Sequence, residues 1–224
     1  MKYKTCVTIA ENSSNRIKQN LKIALKKSDY VEIRFDFLKI DEIPKTLEIV
    51  KNDLKKVVCT LRPKTEGGKF EGDEKERISI LKLIAEYNPF LLDIEFNTIK
   101  NNRTLAKYLK STKTNILISW HDFKKTPGYE ELKKMMKQMI KFSVNVKIVT
   151  TAKSIDDSTQ ILQLYSKKGS NNLIAFAMGD KGKISRILCL YLGSPYTYVS
   201  LRRPMAPGQF SIAEMKKIIN LKIG

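Results

Sequence analysis

Eight short runs rich in β-branched and aliphatic residues recur along this chain, and a longer amphipathic stretch follows each one. The runs are Lys4–Ile9, Tyr30–Phe35, Lys56–Leu61, Phe90–Phe96, Asn115–Trp120, Asn145–Thr150, Asn172–Ala177 and Tyr196–Ser200. The helix-like stretches are 14–27, 41–52, 73–87, 101–111, 128–141, 154–168, 182–192 and 211–221. Two carry helix-start signals: Ser154 ahead of Asp156 and Asp157, and Ser211 followed by Glu214 as a capping box. Near-continuous apolar strands alternating with helices require a parallel sheet covered on both faces. Eight units in 224 residues average about 28 residues each, close to the minimum for a crossover unit. The repeat predicts closure into a (β/α)₈ TIM barrel. A doubly wound open sheet is the alternative, but no GxGxxG follows the first strand, and Gly67-Gly68 sits in a loop without opening a helix. No linker or composition break divides the chain, so residues 1–224 read as one domain.

Composition narrows the chemistry. No apolar run approaches the roughly 18–20 residues of a membrane span. Met1-Lys2-Tyr3-Lys4 leads into a short apolar-leaning stretch without the h-region or cleavage site of a signal peptide. Cys6, Cys59 and Cys189 lie far apart among apolar neighbours. An odd number of cysteines without a framework predicts reduced thiols and a cytoplasmic setting. With no CxxC pair and a single histidine, no metal site built from His and Cys is expected. The net charge of +19 invites a nucleic-acid reading, but 34 of the 42 basic residues are lysines spread over almost every helix-like stretch. Specific readers concentrate arginine and aromatics in one element, so the charge reads as solvated faces and no specific nucleic-acid partner is expected.

In a barrel of this kind the reactive groups gather at the C-terminal ends of the strands. Strand two ends Glu32-Ile33-Arg34-Phe35-Asp36, which alternation places with three charges on one face. Those charges form a structural ion network or hold a ligand. Strand three runs into Arg62-Pro63-Lys64-Thr65-Glu66-Gly67-Gly68, strand four ends Asp93-Ile94-Glu95, and strand five ends Trp120-His121-Asp122 with the sole histidine. Carboxylates at neighbouring strand ends favour acid–base work for His121 over a structural role. Lys147 stands in the middle of the β-branched sixth strand. A buried amine there loses its proton more readily and becomes a nucleophile for a ketone or aldehyde; pairing with a neighbouring glutamate, or snorkelling to the rim, is the other reading. After strand seven, Gly179 and Gly182 lead to a helix start with Arg186, a combination suited to an anionic group. After strand eight, Arg202-Arg203-Pro204-Met205-Ala206-Pro207-Gly208-Gln209 is a loop able to cover the rim. An amine, one imidazole, carboxylates and arginine point to imine-assisted carbon acid chemistry: aldol cleavage, or elimination from a β-hydroxyketone.

The stretches Val31–Asp36, Arg62–Gly68, Ser119–Phe123, the strand holding Lys147, Ile184–Arg186 and Ala206–Gln209 together make the chain resemble type I 3-dehydroquinate dehydratase, the Schiff-base enzyme of the shikimate pathway. The resemblance implies a homodimeric barrel that converts 3-dehydroquinate to 3-dehydroshikimate and water with no metal or cofactor. It implies that Lys147 forms the imine at the C3 ketone, that His121 removes the C2 proton and assists loss of the C1 hydroxyl, and that Glu66 positions the imidazole. Glu32, Arg34 and Arg62 would hold ring hydroxyls, Arg186 the carboxylate, and Gln209 would close over the substrate. The chain departs from the family at Met205, where members often carry Ser or Thr just ahead of Ala-Pro-Gly-Gln. A thioether cannot donate a hydrogen bond, so Arg202 or Arg203 is expected to compensate. The nearest rival is a class I aldolase, although no glycine-rich phosphate cradle precedes the last helix.

Overall fold

The computed structural model describes residues 3–220, so Met1, Lys2 and Leu221, the last residue of the expected final helix, lie outside the described residues. Eight parallel strands appear where the apolar runs predict them: β1 Thr5–Ile9, β2 Tyr30–Arg34, β3 Val57–Thr60, β4 Leu91–Glu95, β5 Ile116–His121, β6 Asn145–Thr151, β7 Asn172–Met178 and β8 Thr197–Ser200. Among the described residues nine α-helices surround them: α1 Ser14–Leu25, α2 Glu42–Val50, α3 Glu74–Glu86, α4 Phe96–Asn101, α5 Arg103–Ser111, α6 Tyr129–Met139, α7 Ile155–Leu162, α8 Ser185–Tyr191 and α9 Ile212–Ile219. The fourth expected stretch, 101–111, forms α5, and α4 is a further short helix ahead of it; the two meet at Asn102, whose side chain caps α5 by accepting from Leu105 N. Both capping boxes form, Ser154 with Asp157 and Ser211 with Glu214.

The strands pair in the order β7-β6-β5-β4-β3-β2-β1-β8. The barrel is therefore nearly closed: a seam separates β7 from β8, which do not share a hydrogen-bonded ladder. Phe176 and Tyr198 face each other across it with ring centroids 6.4 Å apart. This is the expected (β/α)₈ barrel, with its ladder open only at that seam.

Strand alternation sorts the apolar residues into two cores. Val7, Ile33, Cys59, Leu92, Ile118, Ile148, Ala175 and Val199 face outward and pack under the helices. Stripes such as Ile17, Leu21 and Ala24 of α1 meet them, each large aliphatic side chain contributing about 1.5–3 kcal/mol on burial. Cys6, Val58, Leu91, Leu117, Ile174 and Tyr196 face inward and form a separate cluster inside the barrel. The three thiols are free and buried. Among the described residues no helix is long and apolar enough to cross a membrane.

Candidate active site

One step further along each strand, the inward positions change from apolar to charged. Thr8, Glu32, Thr60, Asp93, Ser119 and Lys147 are all buried, on β1 to β6 in turn. They reach one another because parallel register sets them side by side: Thr8 opposite Glu32, Thr60 opposite Asp93, and Ser119 opposite Lys147. Lys147 Nζ donates to Asp93 Oδ2 at 2.8 Å and lies 3.7 Å from Glu32 Oε1. The Tyr198 ring covers the same ammonium, with its centroid 4.6 Å away. The buried lysine is thus paired, as the other reading of the sequence allowed, with Asp93 as its hydrogen-bonded partner and Glu32 close by.

Asp93 is the hub of the cluster. Its Oδ1 accepts from Ser119 at 2.5 Å, and its Oδ2 accepts from Arg62 at 2.7 Å as well as from Lys147. Burial opposes its ionisation, but Arg62 and Lys147 outweigh burial and hold the Asp93 carboxyl well below the usual carboxylate range. Glu32 accepts from Thr8 at 3.0 Å and from Thr60 at 2.9 Å. Arg62 divides its fork between Asp93 and Glu95, the latter at 2.8 Å. It lines the cavity but is held by carboxylates of the protein. Arg34 is gripped bidentately by Asp36 at 2.8 and 2.7 Å. Asp36 is not on the inner face of strand two, because β2 ends at Arg34 and Asp36 falls in the tight helical turn Phe35–Phe37.

His121, the last residue of β5, places Nδ1 3.0 Å from Glu66 Oε2. Glu66 is held there by a tight turn, Lys64–Glu66, ended by Gly67 at φ 72°. A side chain at Gly67 would be strained by that φ and would run into the Phe123 ring. Burial pushes the Glu66 carboxyl up to about 8, reinforced by Glu95 and Asp93 and opposed by Arg62 and Arg77. Burial, with Arg62 and Lys147, holds the His121 imidazole well below its ordinary value. Both shifts favour the uncharged forms over an ion pair across this 3.0 Å contact. Nε2 makes no hydrogen bond among the described residues.

The opposite wall is different. Arg186, the second residue of α8, is 1% exposed and has no carboxylate partner among the described residues. Its Nη2 donates to Pro207 O at 3.2 Å, its Nε is buried without a partner, and its guanidinium carbon lies 4.3 Å from the Phe176 ring centroid. Burial pulls its pKa down to about 10. A buried guanidinium lacking a counter-ion is a site for an anion. Gln209 lies beside it on the last loop and accepts from the Met205 backbone N–H at 2.7 Å. Gly208, at φ 72°, lets that loop approach Gly179, whose carbonyl oxygen a Cβ would meet at 2.6 Å.

Together these groups line one cavity at the barrel mouth, and all eight expected site residues border it: Lys147, His121, Glu66, Glu32, Arg34, Arg62, Arg186 and Gln209. Arg202 and Arg203 do not. They line an adjoining cleft with Glu11, Asn20 and Met205, and Met205 borders the cavity as well. The two arginines thus stand one cleft away from the cavity, next to Met205, which borders both. Asp93 and Glu95 were visible only as a strand-end Asp-x-Glu pair. Arg77, on α3, gave no sequence signal.

A family model described as type I 3-dehydroquinase matches residues 5–223. The chain is 37% identical over 203 residues to a 3-dehydroquinate dehydratase of Dehalococcoides mccartyi, covering 87% of this chain and 88% of that protein. It is 34% identical over 224 residues to a 3-dehydroquinate dehydratase of Methanocaldococcus jannaschii, covering 96% and 97%. Among solved structures, the 3-dehydroquinate dehydratase of Aquifex aeolicus superposes with a TM-score of 0.79 at 28% identity, covering 96% of each chain. That of Geobacillus kaustophilus shares the fold with a TM-score of 0.87 at 22% identity, covering 98% of this chain and 90% of its own.

Proposed function

The chain belongs to the type I 3-dehydroquinase family, whose hydro-lyase reaction on 3-dehydroquinate is a step of the shikimate pathway, and from that premise we propose that it works through an imine on Lys147 with His121 as general acid and base. The observation that carries this reading is that Lys147 is the one buried lysine among the described residues, and its ammonium borders the cavity that also holds His121 and Arg186.

Attack on the C3 ketone requires the ammonium to give up a proton, and Asp93 and Glu32 are the bases facing it. The amine adds to the carbonyl, water leaves, and a protonated imine remains, still between the two carboxylates and under the Tyr198 ring. The imine draws electrons from C2, so His121 Nε2 can take the C2 proton. The electron pair then expels the C1 hydroxyl, which receives the same proton and departs as water. A second water hydrolyses the imine, releasing 3-dehydroshikimate and restoring the amine. One imidazole serves both transfers if they occur on the same face. Glu66, once ionised, holds Nδ1–H and leaves the Nε2 lone pair toward the substrate.

Arg186 takes the substrate carboxylate, Gln209 closes over it, and Glu32, Arg34 and Arg62 meet the ring hydroxyls. A homodimer and a cytoplasmic setting are part of the same reading. The growth of ultraviolet absorbance from the conjugated enone tests it. Lys147→Met should lose turnover by on the order of 10⁴-fold or more, and His121→Ala by about 10²–10⁴-fold. Turnover by Lys147→Met near the parent rate would refute the reading.

A further inference from the structure

Arg77 lies outside the cavity, on α3, yet it is 1% exposed and saturated with hydrogen bonds. Its Nη1 donates to Glu95 Oε2 at 2.7 Å and to the Leu61 carbonyl at 3.1 Å. Its Nη2 donates to Thr98 at 2.6 Å, and Glu74 grips it bidentately at 2.8 Å on both oxygens. Glu95 passes the connection inward. One of its oxygens serves Arg77 and the other serves Arg62, whose second nitrogen holds Asp93, which holds Lys147. Glu74, Arg77, Glu95, Arg62, Asp93 and Lys147 therefore form an unbroken line of alternating charge from a half-exposed helix residue to the buried amine.

We propose that Arg77 is a positioning residue for the reaction, acting through Glu95 and Arg62 to set how tightly Asp93 holds Lys147. The inference rests on the imine reading given above. Without Arg77, the Glu95 oxygen it occupied competes for the Arg62 fork. Asp93 then loses part of its guanidinium partner and closes on the ammonium, which slows release of the amine. Arg77 also acts on the acid–base pair, since its charge is among those that favour ionised Glu66. The other groups facing Lys147 are Glu32 on β2, His121 on β5, Tyr198 on β8 and Cys6 on β1. None of them contacts Arg77.

The test is the pH profile of kcat and KM for Arg77→Met, Arg77→Lys and Thr98→Val, with borohydride trapping of Lys147 by 3-dehydroquinate on each folded variant. Arg77→Met should lose about tenfold in kcat and in trapping rate with KM within twofold, and its rising limb should move to higher pH. Arg77→Lys should recover part of both, and Thr98→Val, which removes only one partner of Arg77, should show a smaller shift in the same direction. Folded variants with parent kcat, trapping rate and pH limb would overturn the proposal, as would a loss confined to KM. If Arg77→Met does not fold, the other two variants carry the same test. Failure of the parent enzyme to trap on Lys147 would instead defeat the imine reading itself, and this inference with it.

Discussion

The two walls of the cavity are built on opposite electrostatic plans. On the side formed by β2 to β6, every buried charge has a partner within hydrogen-bond reach or close to it: Lys147 with Asp93, Arg62 with Asp93 and Glu95, and Arg34 with Asp36. On the side formed by β7, α8 and the last loop, Phe176, Met178 and Ala206 surround one guanidinium, Arg186, that has no carboxylate. The contrast assigns the work. Paired charges keep an amine and an imidazole buried, at the ready and in fixed geometry, at no large cost in stability. An unpaired cation in an apolar wall costs stability until an anion arrives, and that deficit is returned on binding.

Breaking the paired wall should hurt most. Asp93→Asn leaves Arg62 and Lys147 short of a counter-charge, so it should cost about 3–5 kcal/mol of folding stability by urea unfolding, together with most of the turnover. A stability equal to the parent's would mean that the ion cluster is not what holds this wall. The other wall should respond in the opposite sense. Arg186→Met removes an uncompensated buried charge, so stability should be unchanged or raised. KM should meanwhile rise by about 10–100-fold, the worth of charge-assisted hydrogen bonds to a carboxylate. If Arg186→Met unfolds as readily as Asp93→Asn, the distinction between the walls fails.

The smallest effect lies at the junction, in the Glu66–His121 pair. The Glu66 pKa is raised to about 8, so below that pH its proton bonds to Nδ1, the imidazole carries its hydrogen on Nε2, and the base is blocked. As pH rises through about 8, Glu66 ionises, the ring proton moves to Nδ1 and Nε2 becomes free. The kcat/KM of the parent should therefore climb through this range and level off above it. Glu66→Gln should be slower, with that limb absent. A limb retained in Glu66→Gln would belong to another group.

Much of this arrangement was legible in the chain, and the reasons differ by residue. Strand positions and the burial of Lys147 followed from β-branched runs, because side-chain period and apolarity are local properties. Lys147 stood out as the one lysine in the interior of such a run. Its partners did not. Asp93 reaches it only through the relative register of β4, β5 and β6, and register between parallel strands is not written in either strand alone. Arg77 is invisible for the same reason, as an arginine in an amphipathic helix looks solvated until the fold buries it against Glu95. The Arg202–Arg203 pair shows how little sequence nearness fixes: both share a cleft with Met205, but of the three only Met205 also borders the cavity. The seam between β7 and β8 also escaped, since both strands carry ordinary apolar runs.

The central claim is that Lys147 attacks the substrate ketone, and borohydride reduction during turnover of 3-dehydroquinate, followed by peptide mass spectrometry, tests it most directly. The account predicts an adduct on the Lys147 peptide with the mass of the reduced imine, absent from Lys147→Met. An actively turning-over enzyme that yields no adduct at Lys147, or yields one at another lysine, would contradict it.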